Sequence, residues 1–558
     1  MRKNKEEKQK SNILFKIVII AIFITIVGLI TNIAPNYIRN EIKDKINVII
    51  NNNDVTKSMK YDIYIEDDVI YMSTKDIANF FDEDIYYDNM YNQIITTSDV
   101  KVATLKLQEK EMNVNGSKVK IYGMATKKDG NFYLPFSELN DVYNVEVKYI
   151  KESNILTIDS LDRKQEKANA SKDIRVKYKP TVFSKTVDKV KKADSVIVIS
   201  KLDNGWAKIR TNAGVIGYTK DITNIYTVRE EMKIEKQIKE QVSLVWDYYS
   251  EYASAPDRSG ANIKGVNVVS PTMANIIRTG KGKLNINIGE SGEQYIKWAH
   301  NNNYKVWALV SNNSYKTPTS EILNDYKLRE YLISQIVNIA IKYDLDGINI
   351  DFEYMNESDR DMFSRFIIEL APRLKEYGKV LSVDVTAPDG SAEWSLCYNR
   401  NKIGKVADYI IFMAYDQYGE SSTTAGTTAG ANWVEANIKK FVEREEVSSE
   451  KLILGMPFYT RAWRETSEGA KSNVVAMKYV DSVVPEEAER KWNEDLKQYY
   501  VEYQKNGIDY KMWIEDEISI KAKFDLMNKY KLAGAAYWQK DMEKQSIWNV
   551  VEQEINVK

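Results

Sequence analysis

Between residues 243 and 539 the chain repeats one unit eight times, a short apolar stretch followed in most cases by a helical one. The apolar stretches are 243–249, 265–273, 305–312, 347–354, 381–388, 409–416, 452–463 and 534–539. Helical patterns such as 326–342 and 359–376 lie between them. Strand, helix, strand in regular alternation predicts a parallel sheet. Eight such units predict an α/β fold of the (β/α)8 TIM-barrel kind over 242–558, with catalytic groups at the C-terminal ends of the strands. One extra segment, 512–519, falls between the seventh and eighth strands and is assigned to an inserted lobe.

The fourth strand carries the most chemistry. Residues 346–353 read Asp-Gly-Ile-Asn-Ile-Asp-Phe-Glu. Asn349, Asp351 and Glu353 are spaced by two, so in a strand they share one face, while Ile348, Ile350 and Phe352 take the other. Two close carboxylates at a buried strand end repel, and one of them holds its proton near neutral pH. A protonated carboxyl beside an ionised one is the equipment for cleaving a glycosidic bond. Other strand ends agree. The sixth ends Met413-Ala-Tyr415-Asp416, the fifth alternates Ser382, Asp384 and Thr386, and the eighth carries Trp538, suited to a sugar ring.

Composition excludes much else. The chain has one histidine, His300, and one cysteine, Cys397. No Ser-His-Asp or Cys-His site can form without His300, and a Cys/His zinc site is out of reach. His300 lies in a polar run that reads as a helix end before the third strand, a capping or surface place rather than a catalytic one. The remaining chemistry is that of carboxylates and tyrosines. With 79 basic and 80 acidic residues the net charge is −1, so no global field favours nucleic acid.

Ahead of the barrel the chain divides further. Residues 1–12 form a basic tail with Arg2, Lys3, Lys5, Lys8 and Lys10, and 13–34 are apolar enough to span a bilayer with Lys16 at the interface. A cleaved signal peptide is the rival reading, although Asn32-Ile33-Ala34 is a poor cleavage site. As an anchor, this segment keeps the basic flank in the cytoplasm and places everything after residue 35 on the cell-wall side of the membrane. Residues 35–58 read as a polar linker, 59–163 as a small α+β module, 170–227 as a small β-barrel module and 228–241 as a helical connector.

On these motifs the barrel resembles glycoside hydrolase family 18. Asp346, Gly347, Asp351 and Glu353 match the family's fourth-strand signature, Met413-Ala-Tyr415-Asp416 its sixth-strand motif, and Pro457-Phe-Tyr459-Thr-Arg461-Ala-Trp463 its seventh. Trp538 matches its eighth-strand tryptophan. Asn267-Val-Val-Ser-Pro-Thr272 and Val383-Asp-Val-Thr-Ala-Pro388 are similar to the branch of spore-cortex and cell-wall N-acetylglucosaminidases. Residues 59–163 resemble the domain named after the N-terminal part of copper amine oxidases, with no copper ligand set. Residues 170–227 resemble a bacterial SH3-like domain, whose relatives commonly bind wall peptides; Trp206 reads as core and Tyr218 as a core or groove aromatic.

The resemblance implies a retaining, substrate-assisted mechanism without metal or cofactor, acting on an N-acetylglucosamine-containing polysaccharide such as peptidoglycan or cortex. It implies catalytic roles for Glu353, Asp351 and Tyr415, and substrate binding by Asn349, Asp416, Trp538, Tyr459 and Arg461. Two positions depart from the family. Asn349 replaces the signature's middle aspartate, and an amide hydrogen-bonds Asp351 without sharing its charge. Met273 stands where the cell-wall branch places an aromatic, which predicts a weakened subsite. A chitinase and a catalytically inactive carbohydrate-binding barrel are the alternatives.

Overall fold

The computed structural model describes residues 45–232 and 237–555. The expected anchor at 13–34 and the basic tail lie outside these residues. Among the described residues no helix is long and apolar enough to cross a membrane. The chain divides into two units near residue 235.

In the second unit eight parallel strands close on themselves: β1 (Val242–Asp247), β2 (Val268–Ile276), β3 (Lys305–Ser311), β4 (Gly347–Asp351), β5 (Val380–Val385), β6 (Tyr409–Met413), β7 (Leu452–Pro457) and β8 (Gly534–Trp538). Each pairs with its chain neighbour, and β1 pairs with both β2 and β8, which completes the barrel. Backbones run close enough to forbid side chains at some positions. A Cβ at Gly347 would lie 2.7 Å from the Val380 carbonyl oxygen.

Alternation sorts the side chains into two layers. Outward residues such as Ile348, Ile350 and Phe352 pack against the surrounding helices, among them Tyr326–Lys342 and Arg360–Lys375. Inward residues fill the barrel. Its base is apolar, with Trp307 stacked on Tyr409 at 5.4 Å between centroids. Higher up, Ser270, Asn349, Ser382 and Asp384 form a polar layer, fully or almost fully buried. Burying these groups demands partners, and each has one in the layer.

Asp346 belongs to the base of the barrel, not to the site. Its carboxylate accepts the Val306 N–H at 3.0 Å and contacts Lys305 Nζ at 3.0 Å and His300 Nε2 at 2.8 Å. His300 lies in the last turn of helix Gly289–Asn301, but the cap itself is Asn302, and the imidazole is engaged by Asp346 instead.

Several sequence expectations need correction. The seventh stretch, read as one strand over 452–463, splits at Phe458. Its second half, Tyr459–Thr466, turns out of the barrel into a five-stranded antiparallel sheet with Gly469–Ala476, Arg490–Asn493, Gln498–Lys505 and Ile508–Ile514. Pro457 is the last residue of β7; the Phe458 N–H still donates to the Trp538 carbonyl at 2.7 Å before the chain leaves the barrel, and the apolar run continues through the bend at Phe458 and Tyr459. Residues 512–514 of the extra segment belong to this lobe; helix Glu517–Lys529 then begins with Asp516 as its cap. Met273 is fully buried in the outer core, packed among helices. It faces no sugar, so the subsite loss inferred from it is withdrawn.

The first unit holds a β-rich module followed by a seven-stranded antiparallel sheet between residues 165 and 229. The module starts before residue 59: Asn47–Ile50 pairs in parallel with Ile155–Ser160, so the end of the expected linker is structured. Trp206 is buried, as a core residue should be. The second sheet opens at Gln165 and closes with Ile222–Arg229, which pairs antiparallel with Gln165–Ala170. No helix is present at 230–232 or 237–241, against the expected helical connector. The β-branched residues Ile222, Thr223, Ile225, Thr227 and Val228 favour the strand that precedes it.

Candidate active site

The polar layer opens upward into a cavity of about 680 Å³ at the C-terminal ends of the strands. Asp351 ends β4, and Glu353 lies two residues past it. Tyr415 and Asp416 follow β6, Tyr459 and Arg461 lie on the strand leaving β7, and Trp538 ends β8. All seven line the cavity.

Burial governs the carboxyls. It pushes Asp351 up to about 7. Glu353 is raised well above its ordinary value by burial first, then by the charges of Asp351 and Asp416. Asp384 is raised well above its own by burial and by Asp351, with a hydrogen bond from Asn349 acting the other way. Three carboxyls thus share one desolvated space and cannot all ionise near neutrality. Asp351 Oδ1 is buried and has no hydrogen-bond partner among the described residues.

Hydroxyl and cationic groups complete the wall. Tyr415 is raised well above the usual phenol range, chiefly by burial, so it stays a donor. Tyr459 donates to Asp416 Oδ1 at 2.8 Å, and Arg461 reaches the same oxygen from Nη2 at 3.1 Å and Nε at 3.3 Å. Trp538 meets Trp246 edge-on at 5.7 Å and Tyr248 at 6.1 Å, exposing part of its ring to the cavity.

Asn349 behaves differently from expectation. It is fully buried beneath the cavity and is not among the residues that line it, unlike the other expected substrate-binding residues. Nor does it bond Asp351. Its Nδ2 donates to Asp384 Oδ1 at 2.7 Å and Ser382 Oγ at 3.1 Å, while Oδ1 accepts from Trp246 Nε1 at 2.9 Å and Ser270 Oγ at 3.3 Å. The barrel lumen brings neighbouring strands closer to it than Asp351, which lies two residues along its own strand.

Three residues went unassigned by sequence reasoning. Asp384 had a signal, the alternation of Ser382, Asp384 and Thr386 inside an apolar strand. Tyr354 and Trp394 had none; Tyr354 sits in the loop after β4 and Trp394 in the short helical turn Ala392–Leu396, with rings 4.9 Å apart at the cavity edge.

The model of the glycosyl hydrolases family 18 matches residues 245–543, and that of the copper amine oxidase N-terminal domain matches 49–158. An uncharacterized glycosylase of Bacillus subtilis, YvbX, is 27% identical over 277 residues, which cover 47% of this chain and 79% of that protein. The cortical fragment-lytic enzyme of Bacillus anthracis is 23% identical over 245 residues, 42% of this chain and 55% of that enzyme's length. The crystal structure of the Bacillus megaterium spore cortex-lytic enzyme SleL shares the fold, with a TM-score of 0.51 and 17% identity over 66% of this chain and 90% of that one. The family match takes in more than half of the 558 residues and carries the strand ends that build the cavity: the chain belongs to glycosyl hydrolase family 18 and is a glycoside hydrolase.

Proposed function

We propose that this enzyme hydrolyses β-1,4 bonds of N-acetylglucosamine-containing glycan of the cell envelope, peptidoglycan or spore cortex, with retention of configuration. The observation that carries the reading is the buried, unpartnered Asp351 Oδ1 in one cavity with Glu353, whose carboxyl burial raises well above its ordinary value. An orphaned acceptor at the cavity is suited to the N–H of a substrate acetamido group, because leaving it unpaired costs about 1–3 kcal/mol.

Glu353 gives its proton to the glycosidic oxygen as the bond to the anomeric carbon breaks. The acetamido carbonyl oxygen of the same sugar attacks that carbon from the opposite face and forms a cyclic oxazolinium ion. Asp351 accepts a hydrogen bond from the acetamido N–H and offsets the positive charge; Tyr415 donates to the acetamido oxygen and aligns it. The ionised Glu353 then takes a proton from water, the hydroxide opens the ring at the anomeric carbon, and the acid form returns. Two displacements retain the configuration, as in the substrate-assisted exceptions to the two-carboxylate scheme. Trp538 supports a sugar ring, and Asp416, held by Tyr459 and Arg461, accepts from sugar hydroxyls.

Relatives named for cortical fragments and spore cortex favour envelope glycan over chitin. In this reading residues 13–34 tether the protein to the membrane with the catalytic domain facing the wall, and residues 170–227 contact wall peptides. The test is incubation of the full chain and Glu353→Gln with purified peptidoglycan, cortex and chitin oligomers, with products read by mass spectrometry. New reducing N-acetylglucosamine ends from peptidoglycan or cortex, formed by the parent alone, are expected. Cleavage of chitin oligomers only would replace the substrate, and glycan binding without cleavage by either protein would replace the reading with a carbohydrate-binding barrel.

A further inference from the structure

We infer that Asn312 is a positioning residue that fixes the backbone of Glu353 and so aims its carboxyl; this rests on the acid role proposed for Glu353. The ladder between β3 and β4 ends with the pair Ser311 and Asp351. Glu353 therefore lies beyond the last rung, and its carboxyl has no hydrogen-bond partner among the described residues. The next residue of the third strand's path supplies what the ladder no longer does. Asn312 Nδ2 donates to the Glu353 carbonyl at 2.9 Å, and the Glu353 N–H donates to Asn312 Oδ1 at 3.0 Å. A carboxamide has the donor and acceptor of a peptide edge, so this pair acts as one more rung built from a side chain.

The amide's orientation is over-determined. Thr319 Oγ1 donates to the Tyr315 carbonyl at 2.8 Å and so takes the remaining Nδ2 hydrogen of Asn312 at 3.1 Å. The Ser314 N–H donates to Asn312 Oδ1 at 3.1 Å. Asn312 is fully buried and does not line the cavity, so its influence on the reaction passes through Glu353. On the preceding residue, the Tyr398 hydroxyl donates to the Phe352 carbonyl at 2.7 Å, which leaves Asn312 as the hold on Glu353 itself.

Misaiming an acid has a signature that loss of fold does not have. A sugar leaving group needs its proton, whereas a nitrophenolate departs with little help. The full chain, N312A and N312D are compared on oligomers of β-1,4-linked N-acetylglucosamine, on peptidoglycan, and on a nitrophenyl-capped oligomer. For N312A, kcat on the glycans is expected to fall about 10–100-fold with KM nearly unchanged, because small misplacements of a catalytic group carry losses of that order. With the nitrophenyl substrate kcat/KM, which reports the departure of the leaving group alone, should be nearly unaffected, while kcat falls because Glu353 also serves as the base toward water. N312D keeps the shape and the acceptor but, once ionised, faces the Glu353 carbonyl with no donor. Its protonated form restores one donor and one acceptor, so its activity relative to the parent should rise as pH falls. Equal losses of N312A in kcat/KM on both leaving groups, or a pH-independent ratio for N312D, would overturn the proposal. Should N312A fail to fold, the near-isosteric N312D carries the test. E353Q separates the two levels: parental turnover there removes the acid role and the clasp with it, whereas an inactive E353Q beside a fully active N312A removes the clasp alone.

Discussion

Replacing Asn349 with leucine tests whether the polar layer is a satisfied network. Leucine keeps the four side-chain heavy atoms and the branch at the same carbon, so the shape is retained while four hydrogen bonds disappear. The hydroxyls of Ser270 and Ser382 can turn toward other acceptors. The Trp246 N–H keeps the Asp384 carboxyl as a partner, so the buried carboxyl loses one of its two donors and the indole is not orphaned. At about 1–3 kcal/mol for that one lost partner, Asn349→Leu should destabilise by about 1–3 kcal/mol. The unit that contains the barrel has roughly 320 residues. At about 2.1 cal/mol/K per residue near 60 °C, its unfolding entropy is about 0.7 kcal/mol/K, so the midpoint should fall by about 1.5–4 °C. Differential scanning calorimetry at neutral pH measures it. A midpoint within about one degree of the parent would refute the reasoning.

Further outcomes follow from the same contacts. Asn349→Asp restores the family's aspartate and sets two carboxyls 2.7 Å apart, which forces them to share a proton. The folded-state value of that pair is raised above about 3.9, so the stability deficit against the parent should be small at pH 3 and grow through the carboxyl range, by up to about 1.4 kcal/mol per unit. Asp351 is already raised to about 7, so the same sign applies to the parent. Asp351→Asn should be the more stable protein at pH 8, by about 1–4 kcal/mol in urea titrations, with the gap closing towards pH 4. Lys523 and Glu515 form a fully buried pair at 2.8 Å. Lys523→Met should lose about 3–5 kcal/mol in the same titration, and a second change of Glu515→Leu should recover most of it. Trp538→Ala should raise KM for glycan oligomers by about tenfold or more through loss of a sugar platform, measured in steady-state kinetics.

What could be read in the sequence was whatever obeys a short period. The barrel was legible because its strands are apolar runs separated by helices, and the carboxyl pair because Asp351 and Glu353 keep the two-residue spacing. The helix Tyr326–Lys342 agrees with its expected bounds because a capping aspartate, Asp325, marks its start. Partners across the lumen were not legible. The spacing that puts Asn349 and Asp351 on one face says nothing of Asp384, which comes from the next strand and takes the amide. The break at Phe458 was hidden for a related reason: the apolar run of β7 continues through Phe458 and Tyr459 into the lobe, and only the pairing of Tyr459–Thr466 with Gly469–Ala476 reveals the change of sheet. Met273 was misplaced because a motif position does not give the side of the strand. Asn312 closes an expected strand, yet the use of its amide depends on where the chain leaves β4.

The central claim, that Glu353 drives a retaining cleavage, is tested most directly by proton NMR of the first products. The full chain and E353Q are mixed with an N-acetylglucosamine oligomer, or with soluble peptidoglycan fragments, and the anomeric signals are followed before mutarotation. The account requires the β-anomer to appear first with the parent and no product with E353Q. The α-anomer appearing first, or product formation by E353Q at the parental rate, would contradict it.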